Sequence, residues 1–267
     1  MSWLHCFWGV GAAISPFIMS YCLIRGWGWS IGFRSVAGIQ IVLTSRLFIS
    51  LPLWKRRNIS INSDEAPTAI QSPLQALKID GVKFVLVAFF GYCALETTTG
   101  LWASSYLVRY RGINSDTAAR FASLFYLGIT FGRFLCGFIA EKAGDKLLIR
   151  FGIITTIIGI VLVGLPAKIN TLALLGLIVI GLGCAPVYPS LIHSTPSNFG
   201  KKNSQAIIGI QMASAYIGNT FMPPLFGLIA NYINIGMYPL YLIFFAILMF
   251  IMLEQLNRVI TKNEHQD

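Results

Sequence analysis

Apolar runs of about twenty residues dominate this chain and restrict it to one kind of fold. About eight such runs stand at 3–24, 35–54, 82–109, 117–140, 147–165, 171–193, 204–233 and 239–256. Each is long enough to cross the ~30 Å hydrocarbon core of a bilayer as a helix. Lipid supplies no partner for a bare backbone, so each run must close its hydrogen bonds internally. None has the period-two alternation of a barrel strand. The expected fold class is all-α, a polytopic transmembrane helical bundle of about eight spans.

Charge placement agrees with that reading. Charged residues are 11% of the chain and hydrophobic ones 55%, whereas a soluble domain carries about 25% charged residues. The net charge of +10 does not describe a nucleic-acid surface, because the basic residues fall in short gaps between apolar runs. With the N-terminus inside, cytoplasmic gaps and tail hold Lys55, Arg56, Arg57, Lys78, Lys83, Lys142, Lys146, Arg150, Lys201, Lys202, Arg258 and Lys262. Outer gaps hold Arg25, Arg34, Arg109, Arg111 and Lys168. This bias predicts a multi-pass protein of the cell (plasma) membrane with both termini cytoplasmic. The polar, Ser/Asn/Pro-rich gap sets the expected organisation: 1–54 as two spans, 55–80 as a cytoplasmic linker with a short surface helix at 74–79, 81–257 as a six-helix transmembrane half, and 258–267 as a cytoplasmic tail.

Several residue classes bear on chemistry. Cys6, Cys22, Cys93, Cys136 and Cys184 all lie in apolar runs without metal-ligand spacing, so they read as packing residues and no metal site is expected. The chain shows no Gly-rich phosphate loop, HExxH or GxSxG. No enzyme activity and no cofactor are therefore expected. The first run follows Met1 without a basic n-region or a cleavage site, so no signal peptide is expected.

Glu96 is the sharpest single residue. It lies mid-span in Leu95-Glu96-Thr97-Thr98-Thr99-Gly100-Leu101-Trp102. A charge there is costly and should face a bundle interior or a watery cavity. Two readings stay open, a substrate or proton site and a neutral acid bonded to a neighbouring helix. His5, Tyr126, Tyr188, Gln211 and Asn219 also fall inside apolar spans, where each is interhelical glue or ligand. Pro186 and Pro189 flank Tyr188, and Pro223 and Pro224 interrupt the seventh run; broken helices point to a binding cavity. Trp8 and Trp102 either stack on a substrate or fill space.

The most specific motif is Gly137-Phe-Ile-Ala-Glu141-Lys142-Ala-Gly144-Asp145-Lys146. It reads as a tight, charged cytoplasmic turn. Glu141 can be stabilised at another helix's N-terminus, and Arg133 or Lys142 can lock its other side. That constellation is either a gating latch or an ordinary basic turn. A faint repeat, Gly11-x4-Pro16 and Gly218-x4-Pro223, suggests related halves.

The stretch Gly137-x3-Glu141-Lys142-x-Gly144-x-Lys146 resembles the signature loop G-x3-D-R/K-x-G-R/K-R/K of the major facilitator superfamily, in its copy between helices eight and nine. It departs in having glutamate for aspartate and Asp145 where a base is common. The run Leu4-His5-Cys6-Phe7-Trp8-Gly9-Val10-Gly11-Ala12 with Pro16 resembles the fifth helix of its sugar/fucose-permease-like members. The resemblance implies helices five to twelve of a twelve-helix fold, N-terminally truncated. It further implies a secondary active transporter of a small solute, a sugar or related metabolite, working by alternating access with a proton or sodium ion. Glu96, Trp102, Tyr126, Tyr188, Gln211 and Asn219 would line the cavity, joined by His5 and Trp8. Two alternatives stay open, a transport-inactive fragment and a membrane subunit needing a partner chain, such as a separate N-terminal half. The expected partners are the small-molecule substrate and the lipid bilayer, with no nucleic acid.

Overall fold

The computed structural model describes residues 6–7, 11, 14, 18–19, 21–22, 25–59, 73–165 and 170–264. They fall into two compact units, residues 10–70 and residues 1–9 with 71–267. In the smaller unit the described residues of the first apolar run are helical, and most of that run lies outside the described residues. Helix α1, Trp29–Ile59, extends the expected second span at both ends. A Cβ on Gly32 would stand 2.7 Å from Met19 Sδ, so the bare backbone there lets α1 close on the preceding helical residues.

The larger unit holds six long helices: α2 (Val82–Arg109), α3 (Ser115–Ala143), α4 (Asp145–Gly164), α5 (Asn170–His193), α6 (Lys201–Ile229) and α7 (Tyr238–Glu264). Among the described residues, six stretches are long and apolar enough to cross a bilayer; the last, Lys201–Lys262, contains both α6 and α7. The expected surface helix at 74–79 is a single turn, Pro73–Ala76. A π turn, Ala230–Asn234, and a 3₁₀ turn, Ile235–Met237, join α6 to α7 without a loop.

Local chemistry sets the helix ends. Asn114 caps α3 by accepting from the Thr117 amide at 2.8 Å. The expected charged loop after α3 is shorter than its motif suggests. Helix α3 runs on to Ala143, and Gly144 alone separates it from α4 with φ 75°. A left-handed φ at a helix end is the conformation that only glycine adopts cheaply. Glu141 and Lys142 thus belong to the last turn of α3, and Lys146 to the first turn of α4.

Glycine also decides how the helices pack. Helix α5 lies against both α3 and α4. A Cβ on Gly181 would fall 2.2 Å from Phe125 O, one on Gly183 2.4 Å from Thr156 N, and one on Gly159 2.6 Å from Ile180 N. These backbones touch directly, the small-residue packing that replaces hydrophobic drive inside lipid. On their remaining faces α2, α6 and α7 pack through aromatic groups. Tyr106, Tyr238 and Phe226 form one buried cluster, with Tyr106–Tyr238 centroids 4.9 Å apart.

Polar bonds tie the helix ends together. At one end Arg111, in the α2–α3 connection, donates to Val163 O and Leu165 O at the C-terminus of α4, where a cation suits the helix dipole. At the other end Arg150 of α4 grips Glu254 of α7 through two bonds of 2.6 and 2.7 Å. His193 Nδ1, closing α5, lies 2.7 Å from Asp145 Oδ2, opening α4. The Arg150 and Glu254 side chains are 47% and 28% exposed, so water screens the pair. Arg150→Ala should cost no more than about 1 kcal/mol, and only at low salt. A thermal midpoint falling by many degrees, with or without salt, would contradict that estimate.

Candidate functional site

Glu96 sits at the middle of α2, fourteen residues after Val82 and thirteen before Arg109. At 1.5 Å per residue that is roughly 20 Å from either end, the depth at which a charge is most expensive. The structure gives it a counter-charge. Arg133 Nη2 of α3 stands 3.6 Å from Glu96 Oε1, with side-chain exposures of 4% and 14%. The sequence aimed Arg133 at the loop after α3, but the helix continues ten residues past it. Those added turns put the guanidinium inside the unit, where Glu96 is a carboxylate within reach. The 3.6 Å gap exceeds the ~2.7–2.9 Å of a direct charge-assisted bond, so the two groups form an ion pair across a short gap.

Aromatic hydroxyls surround the pair. Tyr92, one turn before Glu96, is fully buried, donates to Cys184 O of α5 at 3.1 Å, and is an electrostatic neighbour of both Glu96 and Arg133. Tyr126 of α3 neighbours Glu96 as well. A Cβ on Gly100 would stand 2.1 Å from its hydroxyl, so the bare backbone of Gly100 makes room for that ring. Spacing explains the assembly. Tyr92, Glu96 and Gly100 recur every four residues on α2, and Tyr126 and Arg133 lie seven apart on α3, so each set shares one helix face. Tyr188 of α5 completes the wall, with its ring centroid 4.9 Å from Phe89 and 6.0 Å from Tyr92. Its hydroxyl points to Met212 Sδ at 3.4 Å.

A second polar contact joins α2 to α6 at the same depth, where Thr97 donates to Asn219 Oδ1 at 2.5 Å. The other expected cavity residues are spread out. Trp102 donates through Nε1 to Pro223 O at 3.0 Å and packs edge-on to Phe226 at 5.4 Å, sealing α2 against α6. Gln211 is fully buried and pairs with Thr195 at 3.2 Å. It lies eight residues, about 12 Å, along α6 from Asn219. His5 and Trp8 lie outside the described residues, as does the Glu141 side chain.

Tyr92, Cys93 and Cys184 are site neighbours that sequence reasoning missed. For Tyr92 the signal was present, an aromatic hydroxyl four residues before a mid-span acid. For Cys184 nothing local reveals it, because its nearness to Tyr92 and Thr156 depends on the glycine-mediated approach of α5.

The geometry is that of a bundle of long apolar helices with an ionic pair at mid-helix. The family model of the Major Facilitator Superfamily matches residues 84–261, and the chain belongs to that family. Among curated relatives, the Saccharomyces cerevisiae protein called Bypass of stop codon protein 6 is 25% identical over 272 residues, covering 90% of this chain and 54% of that protein. Sialin of Ovis aries is 29% identical over 123 residues, 45% of this chain and 25% of its own. The chain thus spans about half the length, or less, of these relatives. Two structures of FucP share the fold: the Escherichia coli fucose:proton symporter, with TM-score 0.60 and 16% identity, and FucP in the outward conformation, with TM-score 0.59 and 17% identity. Each covers 72% of this chain and 47% of the symporter.

Proposed function

We propose that this chain forms the solute-handling C-terminal half of a facilitator-type secondary transporter, with the Glu96–Arg133 pair as its polar centre. The observation that carries this reading is the burial of that pair at mid-span. A buried ion pair adds little stability compared with well-packed apolar residues, and an intramembrane ionisable residue marks a pathway by default. Alternating access then exposes the pair, with Tyr126, Tyr188 and Asn219 beside it, first to one side of the membrane and then to the other. The solute is a small polar metabolite of the sugar type, moved with a proton or sodium ion. The membrane is the plasma membrane, and both termini face the cytoplasm, where the basic gaps fall. The Gly137–Lys146 turn acts as a latch, with Gly144 as its pivot.

The test is uptake of labelled small solutes by cells expressing the chain. Glu96→Gln keeps the side chain's size and removes its charge; it should abolish saturable uptake at unchanged protein level. Saturable uptake that survives Glu96→Gln would take the pair out of the mechanism. The shared length with relatives favours a second form of the same reading, in which uptake requires a complementary half. Co-expression with the N-terminal half of a relative should then restore uptake that the chain alone lacks.

A further inference from the structure

We propose that the groove between α4 and α7, at the end where Arg150 meets Glu254, binds the headgroup of an anionic phospholipid whose acyl chains lie along the two helices. The site goes beyond the transport reading and does not depend on it.

The groove has two parts. Its mouth is an open cavity of about 410 Å³ between the first turns of α4 and the short helix Thr195–Phe199 that follows α5. Inward of the mouth a narrow crevice continues between α4, α5 and α7, lined by Ile149, Leu191 and Leu253 among others. Lys146, Arg150, Ser194 and Asn198 border both parts. Polar groups thus ring the joint between an open cavity and an apolar slot. A ligand that fills both needs a polar head and an apolar tail.

The charges select the head. Lys146 has no acidic partner among the described residues. Arg150 commits Nε and Nη2 to Glu254, which leaves Nη1 as a donor. Arg258, one turn past Glu254 on α7, is an electrostatic neighbour of that acid. Of the two acids, Asp145 faces His193 at 2.7 Å and Glu254 holds Arg150. Three bases against two acids leave the mouth positive. Asn198 adds a side-chain amide, whereas the Ser194 and Ser197 hydroxyls are turned to backbone carbonyls. An ammonium and a guanidinium beside one cavity suit the oxygens of a phosphate.

The helix faces select the tail. On α4, Leu147 and Ile154 are exposed and lie three residues before and four after Arg150. On α7, Ile247 and Ile251 are exposed and lie seven and three residues before Glu254. The ion pair therefore shares an outward apolar stripe on each helix, and in a membrane such stripes meet acyl chains. Long basic side chains near a helix end reach headgroup level from that position. A basic pocket between membrane helices close to the bilayer surface is a recurrent headgroup site.

The experiment is native mass spectrometry of the full chain in detergent, titrated with phosphatidylglycerol or with phosphatidylcholine of the same acyl chains. Phosphatidylglycerol should bind saturably and at least about fivefold tighter, because one base near a headgroup is worth about that factor. Lys146→Gln should weaken its binding about fivefold, and Arg150→Gln by at least as much. Glu254→Gln breaks the same ion pair as Arg150→Gln but removes the opposing charge and frees the guanidinium, so it should tighten binding about fivefold. Glycerol 3-phosphate, which carries the phosphate without a tail, should not displace the lipid at equal concentration. Phosphatidylglycerol held no tighter than phosphatidylcholine would overturn the site. Displacement by glycerol 3-phosphate would overturn the lipid as its occupant and assign a soluble anion. Arg150→Gln and Glu254→Gln moving the affinity in the same direction would reduce the pair to a structural clasp and end the proposal. Uptake plays no part in the assay, so failure of the transport reading leaves its outcome untouched.

Discussion

Gly183→Val should prevent this chain from folding in a membrane, whereas Gly209→Ala should leave it unharmed or more stable. Both glycines lie inside long apolar helices, and sequence alone does not tell them apart. At Gly183 a Cβ would stand 2.4 Å from the Thr156 amide nitrogen and 2.6 Å from Gly152 O. Backbone atoms cannot swing aside, so α4 and α5 must separate, and the contacts along their whole length weaken together. Overpacking a core typically costs about 1–3 kcal/mol, and more where the neighbour cannot yield; this case belongs at or above the upper end. At Gly209 nothing lies within 4 Å of the added carbon, and alanine favours a helix by about 1 kcal/mol. Thermal unfolding of detergent-extracted protein reads both effects. A Gly183→Val protein with the wild-type midpoint would mean that α4 and α5 do not touch through their backbones.

That contrast marks how far the sequence could be read. The spans were legible because lipid leaves a long apolar run no alternative to a helix; the run at 82–109 coincides with α2. Two features escaped for physical reasons. The joint between α6 and α7 looked like a short gap because Asn234 and Gly236 interrupt the apolar pattern, yet a π turn and a 3₁₀ turn carry the helical path through it. The length of α3 escaped because Glu141 and Lys142 look like loop residues. They are compatible with a last helical turn that emerges from the bilayer, and the break waits for Gly144. Glu96 was visible as a misplaced charge. Its partner was visible only as a residue, because the direction of Arg133 depends on where α3 ends and how α3 meets α2. The α2–α6 contact between Thr97 and Asn219 lies 122 residues apart in sequence, beyond the reach of any local pattern.

The Glu96–Arg133 pair yields the second large effect, and stability and activity should move in opposite directions. Arg133→Met leaves Glu96 at mid-span without its counter-charge. Breaking one side of a buried pair costs about 3–5 kcal/mol, enough to remove most folded protein from a marginally stable bundle. Adding Glu96→Leu to Arg133→Met removes the stranded carboxylate and fills the space with methyl groups. The double variant should recover most of the lost stability, as paired replacement of buried ions commonly does. It should nonetheless transport nothing, because the polar centre is gone. The comparison uses four proteins, namely wild type, the two single variants and the double variant, each followed by thermal unfolding and by uptake. If the double variant carries solute at the wild-type rate, the pair is structural and the pathway lies elsewhere. If instead Arg133→Met alone is as stable as wild type, the pair is not desolvated in the membrane. A stable, inactive double variant beside an unstable single one is the outcome that a centre retained for function and not for folding requires.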